Sequence, residues 1–479
     1  MAQEKLMQKL EKRFETSIQA EGLSCLFFDG RKDDTNTHHV IDGKNYPAVI
    51  KEEHYSVCKE PGGEYLFHFV PEEIENKKHA EIIADHMYDW LTANNIEEKL
   101  QAVGGDSTNV NTGWKGGAMH WLEVKFGRKL VWIVCDLHTG ELPLRHLIID
   151  QIGPTLSNDK WPGVLGDLLE KATELEVNPN FTRIKIGPPV VELSDEIIKD
   201  LSTDQAYAYQ ILKVLRGETD HDDIVRLGKL GIGHVCHSRW LTTALRFDRI
   251  WISHHGLKGK DLKALKSIIE FTVGFYLPNW FNIKLHPKWT EGPNHVLYQL
   301  KLLKTQQKKV VNAVKETVER SAWYAHSEAV LQSLLCSESK QEREFAIETI
   351  LRIRGPGDDD QLGDRSPRKR VNPKINFNAE SLTELINWDK LEDISEPPRT
   401  CDLTTSEVRL ITEEPVRVPN WPSHTQSVER IVKMVTEASA QFYSHEKRDG
   451  SIRAAQESRK LMSKNRSKKD LYSLSEFSI

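Results

Sequence analysis

The chain has 479 residues and a mass of 55.0 kDa, room for two or three folding units at a prior of roughly 150 residues each, so it is no small stapled domain. Hydrophobic residues at 38% and charged residues at 28% are ordinary for a globular chain, and no apolar run approaches the ~18 to 20 residues that a bilayer crossing needs, which excludes a membrane-spanning helix. A formal net charge of −6 exerts no global pull on nucleic acid, so any such binding has to come from local patches.

The opening segment, MAQEKLMQKLEKRFETSIQ, is charged and helically periodic and lacks the apolar core of a secretory signal. A helix over residues 1–21 and an intracellular protein are expected. Residues 23–28 form a short aliphatic and aromatic run ending at Asp29-Gly30, a favoured turn pair, and predict a strand that stops there. Two more strands are predicted over 54–59 and 64–70, joined across Pro61-Gly62-Gly63 as a meander. Ala80, Ile83, Met87, Trp90 and Leu91 then give an apolar stripe at helical spacing over 76–94.

From residue 100 the pattern alternates: a strand over 100–104, a helical stretch over 113–126, a strand over 130–135 and a helix over 142–149. Helical crossovers favour parallel strands on a covered sheet. The resulting order is that of a ribonuclease H-like fold, whose first strand lies beside the fourth. The stretch 160–341 is helical by periodicity, with helices over 204–216, 258–276, 299–318 and 321–335, and cannot extend the sheet. The fold class expected is therefore α/β, a ribonuclease H-like mixed sheet flanked by helices and interrupted by a large all-helical insertion. Its divisions are 1–21 for the N-terminal helix, 22–158 for the first part of the core, 159–354 for the insertion, 355–420 for a loop-rich linker, 421–445 for a return helix and 446–479 for a basic tail.

Six scattered cysteines without a C-x-x-C pair point to reduced thiols. Two basic stretches, 365–374 and 448–469, read equally as solvated segments or as DNA contact and nuclear targeting. Three acids stand at the edges of ordered elements: Asp29 after the first strand, Asp106 in GGDSTNVNTG, and Glu429 in the first turn of a helix over 425–441. Each also has a structural role open to it, as a turn residue, a loop residue and a helix-dipole partner respectively. Under the strand order above, Asp29 and Asp106 become neighbours, and three converging carboxylates suit two Mg²⁺ or Mn²⁺ ions on a scissile phosphate.

Supporting candidates surround these acids. Asn109 and Asn111 could orient Asp106 or close its turn, Arg430 could reach a backbone phosphate, and Glu437 could stand in for Glu429. Cys135 and His138 have the spacing of half a zinc site, completed only by His234, Cys236 and His237; the commoner role for a strand cysteine is core packing, leaving His138 to contact phosphate or position the acids. Trp161, Trp240 and Trp251 could stack on an extruded base or fill the core.

In motif order the chain resembles the catalytic core of a hAT-type DDE transposase. Asp29 closes the first strand; Asp106 with Asn109 resembles the D-x-x-N segment; CDLHTGEL, with Cys135 and His138, resembles the C-x-x-H motif; Arg239-Trp240 resembles the R-W segment of the insertion; HTQSVERIVK resembles the helix bringing the last acid, Glu429. The resemblance covers roughly residues 22–458. It departs at Val428, where the family commonly has Ser, and in having only about twenty residues before the first strand, too few for the family's N-terminal BED zinc finger. It implies a metal-dependent strand cleavage or transfer activity with Asp29, Asp106 and Glu429 as ligands, DNA as partner with homo-oligomer formation as a further option, and a nuclear location, the cytoplasm being the alternative. The other function in view is a domesticated, catalytically silent module binding nucleic acid or protein.

Overall fold

The computed structural model describes residues 23–156, 160–219, 221–233, 240–354, 374–389 and 414–464. The helix expected over 1–21, Arg239 and the 234–238 cluster, and the basic stretch 365–374 apart from Lys374 lie outside them. The chain divides into two units at Cys135/Asp136 and Val418/Pro419, so the first unit is built from two separated segments and the second from the one between.

The first unit holds a five-stranded mixed sheet in the order β3-β2-β1-β4-β5. Its strands are β1 Cys25–Ile41, β2 Lys44–Glu60, β3 Glu64–Phe69, β4 Ala102–Gly105 and β5 Val131–Val134. β1 pairs antiparallel with β2 and parallel with β4, and β4 pairs parallel with β5. The prediction that β1 stops at Asp29-Gly30 is corrected here: the strand runs on to Ile41 and turns at Asp42-Gly43, where both residues adopt positive φ (48° and 74°). That geometry is the tight hairpin turn matching strand twist. Of the two Asp-Gly pairs in this hairpin, only the second has no neighbour to hold it extended; Asp29-Gly30 is paired with Ser56 and Tyr55.

Three helices, α1 His79–Ala93, α2 Asn109–Thr112 and α3 Ala118–Phe126, lie between β3 and β5. α1 buries Ala80, Ile83, Met87 and Leu91, the stripe that the sequence shows. After the second unit the chain returns as α4 Gln426–Ser439 and α5 His445–Lys464. α4 buries Val428, Ile431, Val432 and Val435 on one face and is fixed against β1 and β2 by polar contacts: Ser427 Oγ on Glu60 and Thr436 Oγ1 on Asp33.

The segment expected to be a basic tail from residue 446 is helical as far as Lys464, and two of its basic side chains, Arg448 and Arg453, turn inward. Arg448 donates to the carbonyl of Asn36, and Arg453 to Asp449 (2.8 Å) and the carbonyl of Leu66. These guanidiniums satisfy backbone carbonyls of β1 and β3, and Ile452, next to Arg453, is buried. At the start of α5 the exposed His445 stacks at 4.4 Å on the buried His68, whose ring also shares a hydrogen bond with the Tyr65 hydroxyl.

The second unit is helical among its described residues. The helix predicted over 258–276 is Gly259–Phe271 followed by a π-helical turn, Thr272–Tyr276, that runs into Leu277–Leu285. The run predicted over 299–318 is two helices, Gly292–Lys304 and Lys308–Ser321, parted where the Thr305 hydroxyl bonds the Leu302 carbonyl instead of continuing the ladder. Asp136, fully buried, opens the unit by pairing with the buried His295 (Nδ1 to Oδ2, 2.5 Å), while Gln299 donates to Thr139. Burial raises the Asp136 carboxyl and His295 opposes that rise.

Replacing His295 by Ala leaves a buried carboxyl without its partner and is expected to cost about 3 to 5 kcal/mol in denaturant unfolding, with part of that recovered when Asp136 is also made Ala. The His68 ring is held to about 2 by burial, followed by His445 and His54. A histidine lowered in the fold contributes its full stability above the unfolded value near 6.5 and loses it as pH falls toward the folded value. Urea midpoints measured between pH 7 and 4 should therefore decline for the first unit, by up to about 1.4 kcal/mol per pH unit from this ring. His68→Phe should flatten that decline.

Candidate active site at the ends of the parallel strands

β1 and β4 pair in parallel with Phe27 opposite Gly104; two residues further in the same register Asp29 comes abreast of Asp106. The next parallel strand, β5, has Gly105 opposite Val134, and the Cys135 N–H donates to the Gly105 carbonyl at 3.0 Å. Asp29 lies within β1 and Asp106 and Cys135 just past the ends of β4 and β5, in phase with Phe27, Gly104 and Ile133, and alternation along β1 puts Phe27 and Asp29 on one face of the sheet. That face carries α4, since Cys58, opposite Phe27, meets Glu60, which Ser427 of α4 also bonds.

Each acid is held by short-range contacts. Asp29 Oδ1 accepts from the Gly30 N–H at 2.8 Å. Asp106 Oδ1 accepts from three donors: Thr108 N at 3.1 Å, Thr108 Oγ1 at 2.7 Å and Asn111 Nδ2 at 2.6 Å. Its Oδ2 has no hydrogen-bond partner among the described residues. Asn111 is buried and Asn109 exposed, so Asn111 is the asparagine that orients Asp106, while Asn109 offers its carbonyl to Gly113 N. Glu429 is exposed on the first turn of α4, and its Oε1 accepts from Thr425 Oγ1 at 2.9 Å. Thr425 in turn donates its backbone N–H to the buried Cys135 Sγ at 3.3 Å, tying the start of α4 to the end of β5. Among the described residues the oxygens of Asp29, Asp106 and Glu429 do not all fall within 4.8 Å of one another.

The glycines around Asp106 could let a ligand approach the backbone. Their observed role is internal. A Cβ on Gly104 would lie 2.2 Å from the Phe27 ring, and one on Gly117 would lie 2.5 Å from Gly113 N and 2.7 Å from the Asn111 carbonyl. The glycines therefore let strand pack on strand and fold the 109–117 turn tightly enough to aim Asn111 at Asp106.

The remaining candidates are more scattered. His138 lies in the second unit, 3.9 Å from Glu141, and Trp240 is also there, buried edge-on to Trp161. Trp161 and Trp251 are buried as well, Trp251 donating to the Thr182 carbonyl, so these three rings are core and offer no face to a base. Arg430 is exposed beside Glu429, and Glu437 is turned toward Lys433 at 3.9 Å.

Tyr55 escaped sequence reasoning. It stands opposite Gly30, its ring lies across that residue, and its hydroxyl is 3.5 Å from His79 Nε2. Burial raises the phenol well above its usual range, and Glu53, Asp106 and Asp29 add to the rise. A signal existed: pairing the chain about Asp42-Gly43 puts residue 55 opposite the glycine that follows Asp29.

No protein-family model matches this sequence, and no curated protein matches it. Among solved structures the chain is similar to one described as a Drosophila P element transposase strand transfer complex, with 12% sequence identity and a TM-score of 0.23. The match covers 62% of this chain and 63% of that one.

Proposed function

We propose that this chain is a ribonuclease H-like protein of the DDE transposase kind, akin to the hAT group, that cuts or joins DNA strands by metal-assisted phosphoryl transfer. The observation that supports this most is the parallel register of β1 and β4, which when continued two residues brings Asp29 of β1 abreast of Asp106 just past β4, while Cys135 tethers the start of the helix that carries Glu429. An all-carboxylate donor set suits hard cations, Mg²⁺ or Mn²⁺. The Asp106 contacts fit such a role, because three donors fix Oδ1 and leave Oδ2 for a further ligand. Bound there, two such ions would activate a water or 3′-hydroxyl and neutralise charge on the leaving oxygen.

The chain's own contribution is placement. Gly30 N fixes the plane of Asp29, Asn111 and Thr108 fix that of Asp106, and Thr425 restrains Glu429. Preset orientation of this kind avoids reorganisation during reaction. Arg430, exposed next to Glu429, is proposed to meet a backbone phosphate. A nuclear location and association with further copies of the chain belong to the same reading. One observation favours the alternative, a silent binding module: Glu429 is exposed, bonded to Thr425 and outside a compact cage with the other two acids.

The two readings part in one assay. Purified chain incubated with linear and branched DNA in Mg²⁺ or Mn²⁺ should nick it, and Asp106→Asn should lower the rate on the order of 10³-fold with an unchanged melting temperature. Retained nicking by that variant would sink the assignment of Asp106, and an inert wild type would leave the binding module. Asn111→Ala should cost activity and about 1 to 3 kcal/mol of stability, whereas Asn109→Ala should cost little of either.

A further inference from the structure

Two histidines of the first unit share one face of the sheet. His68 of β3 stands opposite Ser56 of β2, which stands opposite Asp29 of β1, and His54 lies two residues along β2 from Ser56. Alternation therefore sends His54, Ser56 and His68 to the face that carries α4. The two rings are 6.0 Å apart between centroids. His54 is 2% exposed, His68 3% and Ser56 not at all, and His445 of α5 covers His68 by stacking on it.

Hydrogen bonds fix which nitrogen of each ring carries the proton. Asp449, paired with Arg453, accepts the Tyr65 hydroxyl proton at 2.7 Å. The hydrogen in the 2.5 Å contact between that hydroxyl and His68 Nδ1 must then come from the ring, which leaves His68 Nε2 as a bare lone pair. His54 Nε2 lies 2.7 Å from Thr35 Oγ1 and 3.5 Å from Glu52 Oε2, so it is the protonated nitrogen, and the lone pair is on Nδ1. Both lone pairs are buried, and neither they nor Ser56 Oγ has a hydrogen-bond partner among the described residues. Burial lowers both rings from their ordinary value and so keeps them neutral, the form that binds metal.

Buried polar atoms in this state call for a water or an ion. The surroundings favour the ion. On each ring the other nitrogen is bonded to a hydroxyl with a carboxylate close by, Tyr65 with Asp449 and Thr35 with Glu52, which is the support that orients metal-binding imidazoles. The charges acting around the pair are the carboxylates Glu52, Asp33 and Asp449 against the guanidiniums Arg448 and Arg453, a balance that does not repel a cation.

We propose that His54 Nδ1 and His68 Nε2 hold one transition-metal ion of the zinc class, with Ser56 Oγ and water completing its shell. Imidazole donors suit Zn²⁺, Cu²⁺ or Ni²⁺, whereas Mg²⁺ and Mn²⁺ prefer oxygen, so this ion differs in kind from one held by Asp29 and Asp106. The site stands independently of the phosphoryl-transfer reading. Its effect is to tie β3 to β2 beneath α5.

The test is a Co²⁺ titration in excess Mg²⁺, followed by absorbance and reversed with Zn²⁺, on wild type, His54→Gln, His68→Gln, Tyr65→Phe and Asp106→Asn. Wild type and Asp106→Asn should each bind one Co²⁺ that Zn²⁺ displaces, and both histidine variants should lose it. Tyr65→Phe keeps both ligands but frees the His68 tautomer, and should weaken binding roughly 10- to 100-fold. Zn²⁺ should raise the melting temperature of wild type but not of the histidine variants. Should a glutamine variant fail to fold, the ¹⁵N resonance of His68 Nε2 in wild type decides instead: it should shift on adding Zn²⁺, and an unmoved resonance would overturn the proposal. Wild type without bound Co²⁺, whose lone pairs then share only a water, would overturn it as well. So would Co²⁺ retained in full by both histidine variants, or lost only in Asp106→Asn, which would put the ion at the acid pair.

Discussion

The contact on which the first unit depends is the packing of the Phe27 ring over Gly104. A Cβ on Gly104 would lie 2.2 Å from that ring, so β4 can sit beside β1 in this register only with glycine at 104. The parallel pairing is short, three residues on each strand, and it has no turn to enforce it. Side-chain fit has to supply the specificity that a hairpin gets from its loop. Asp29 and Asp106 come abreast as a consequence of that fit, and Gly105, opposite Val134 of β5, carries the register on to Cys135 through its carbonyl.

The third acid depends on a different set of forces. α4 comes from a chain segment separated from β5 by the whole second unit, so nothing local determines where it docks. Its apolar face gives adhesion but little direction along the sheet. Direction comes from polar contacts: the Cys135 sulfur accepting from Thr425, Ser427 on Glu60, and Thr436 on Asp33. Glu60 is 2% exposed, and burial raises its carboxyl; Ser427 and the Gly63 N–H oppose that rise. A buried carboxyl that needs these donors penalises any sliding of α4 that would remove them. Glu429 itself lies exposed on the first turn, where the Thr425 hydroxyl donates to it.

Much of this was legible in the sequence because it follows from periodicity. The stripe of α1, the meander of β2 and β3, the β4 to β5 alternation and the neighbouring of first and fourth strands all rest on repeated local patterns that tertiary contacts reinforce. The length of β1 was not legible, since its distal half reads KDDTNTHHV and has the composition of a loop. What keeps it extended is non-local: Asp33 and Thr35 are buried, one bonded by Thr436 and the other by His54. The same limit applies to Trp240 and to Arg448 and Arg453. An aromatic or a basic residue shows its chemistry in the sequence, but whether it faces solvent, a base or a carbonyl is decided by neighbours far along the chain. Asn109 and Asn111 make the point at closer range, because two asparagines with equal chemistry differ only in which one the Gly113–Gly117 contact turns inward.

The hairpin turn at Asp42-Gly43 governs the site from a distance. With Ile41 opposite Lys44, the pairing runs without interruption to Cys25 opposite Glu60, so one register sets every partner along β1. Asp29 is then opposite Ser56 and in phase with the α4 face, while Gly30 is opposite Tyr55 on the other face. A slip of one residue between the strands would bring Tyr55 against Asp29 or Arg31 and place a Cβ where its ring now crosses. The glycine that follows Asp29 therefore acts as a register key rather than as a turn residue: it is the position on β1 where the Tyr55 ring can cross, and its neighbour is the acid. The acid on one face and the hydroxyl reaching past the strand on the other are two outcomes of a single pairing, which is why Asp29-Gly30 has to be strand and cannot be the turn that its composition suggests.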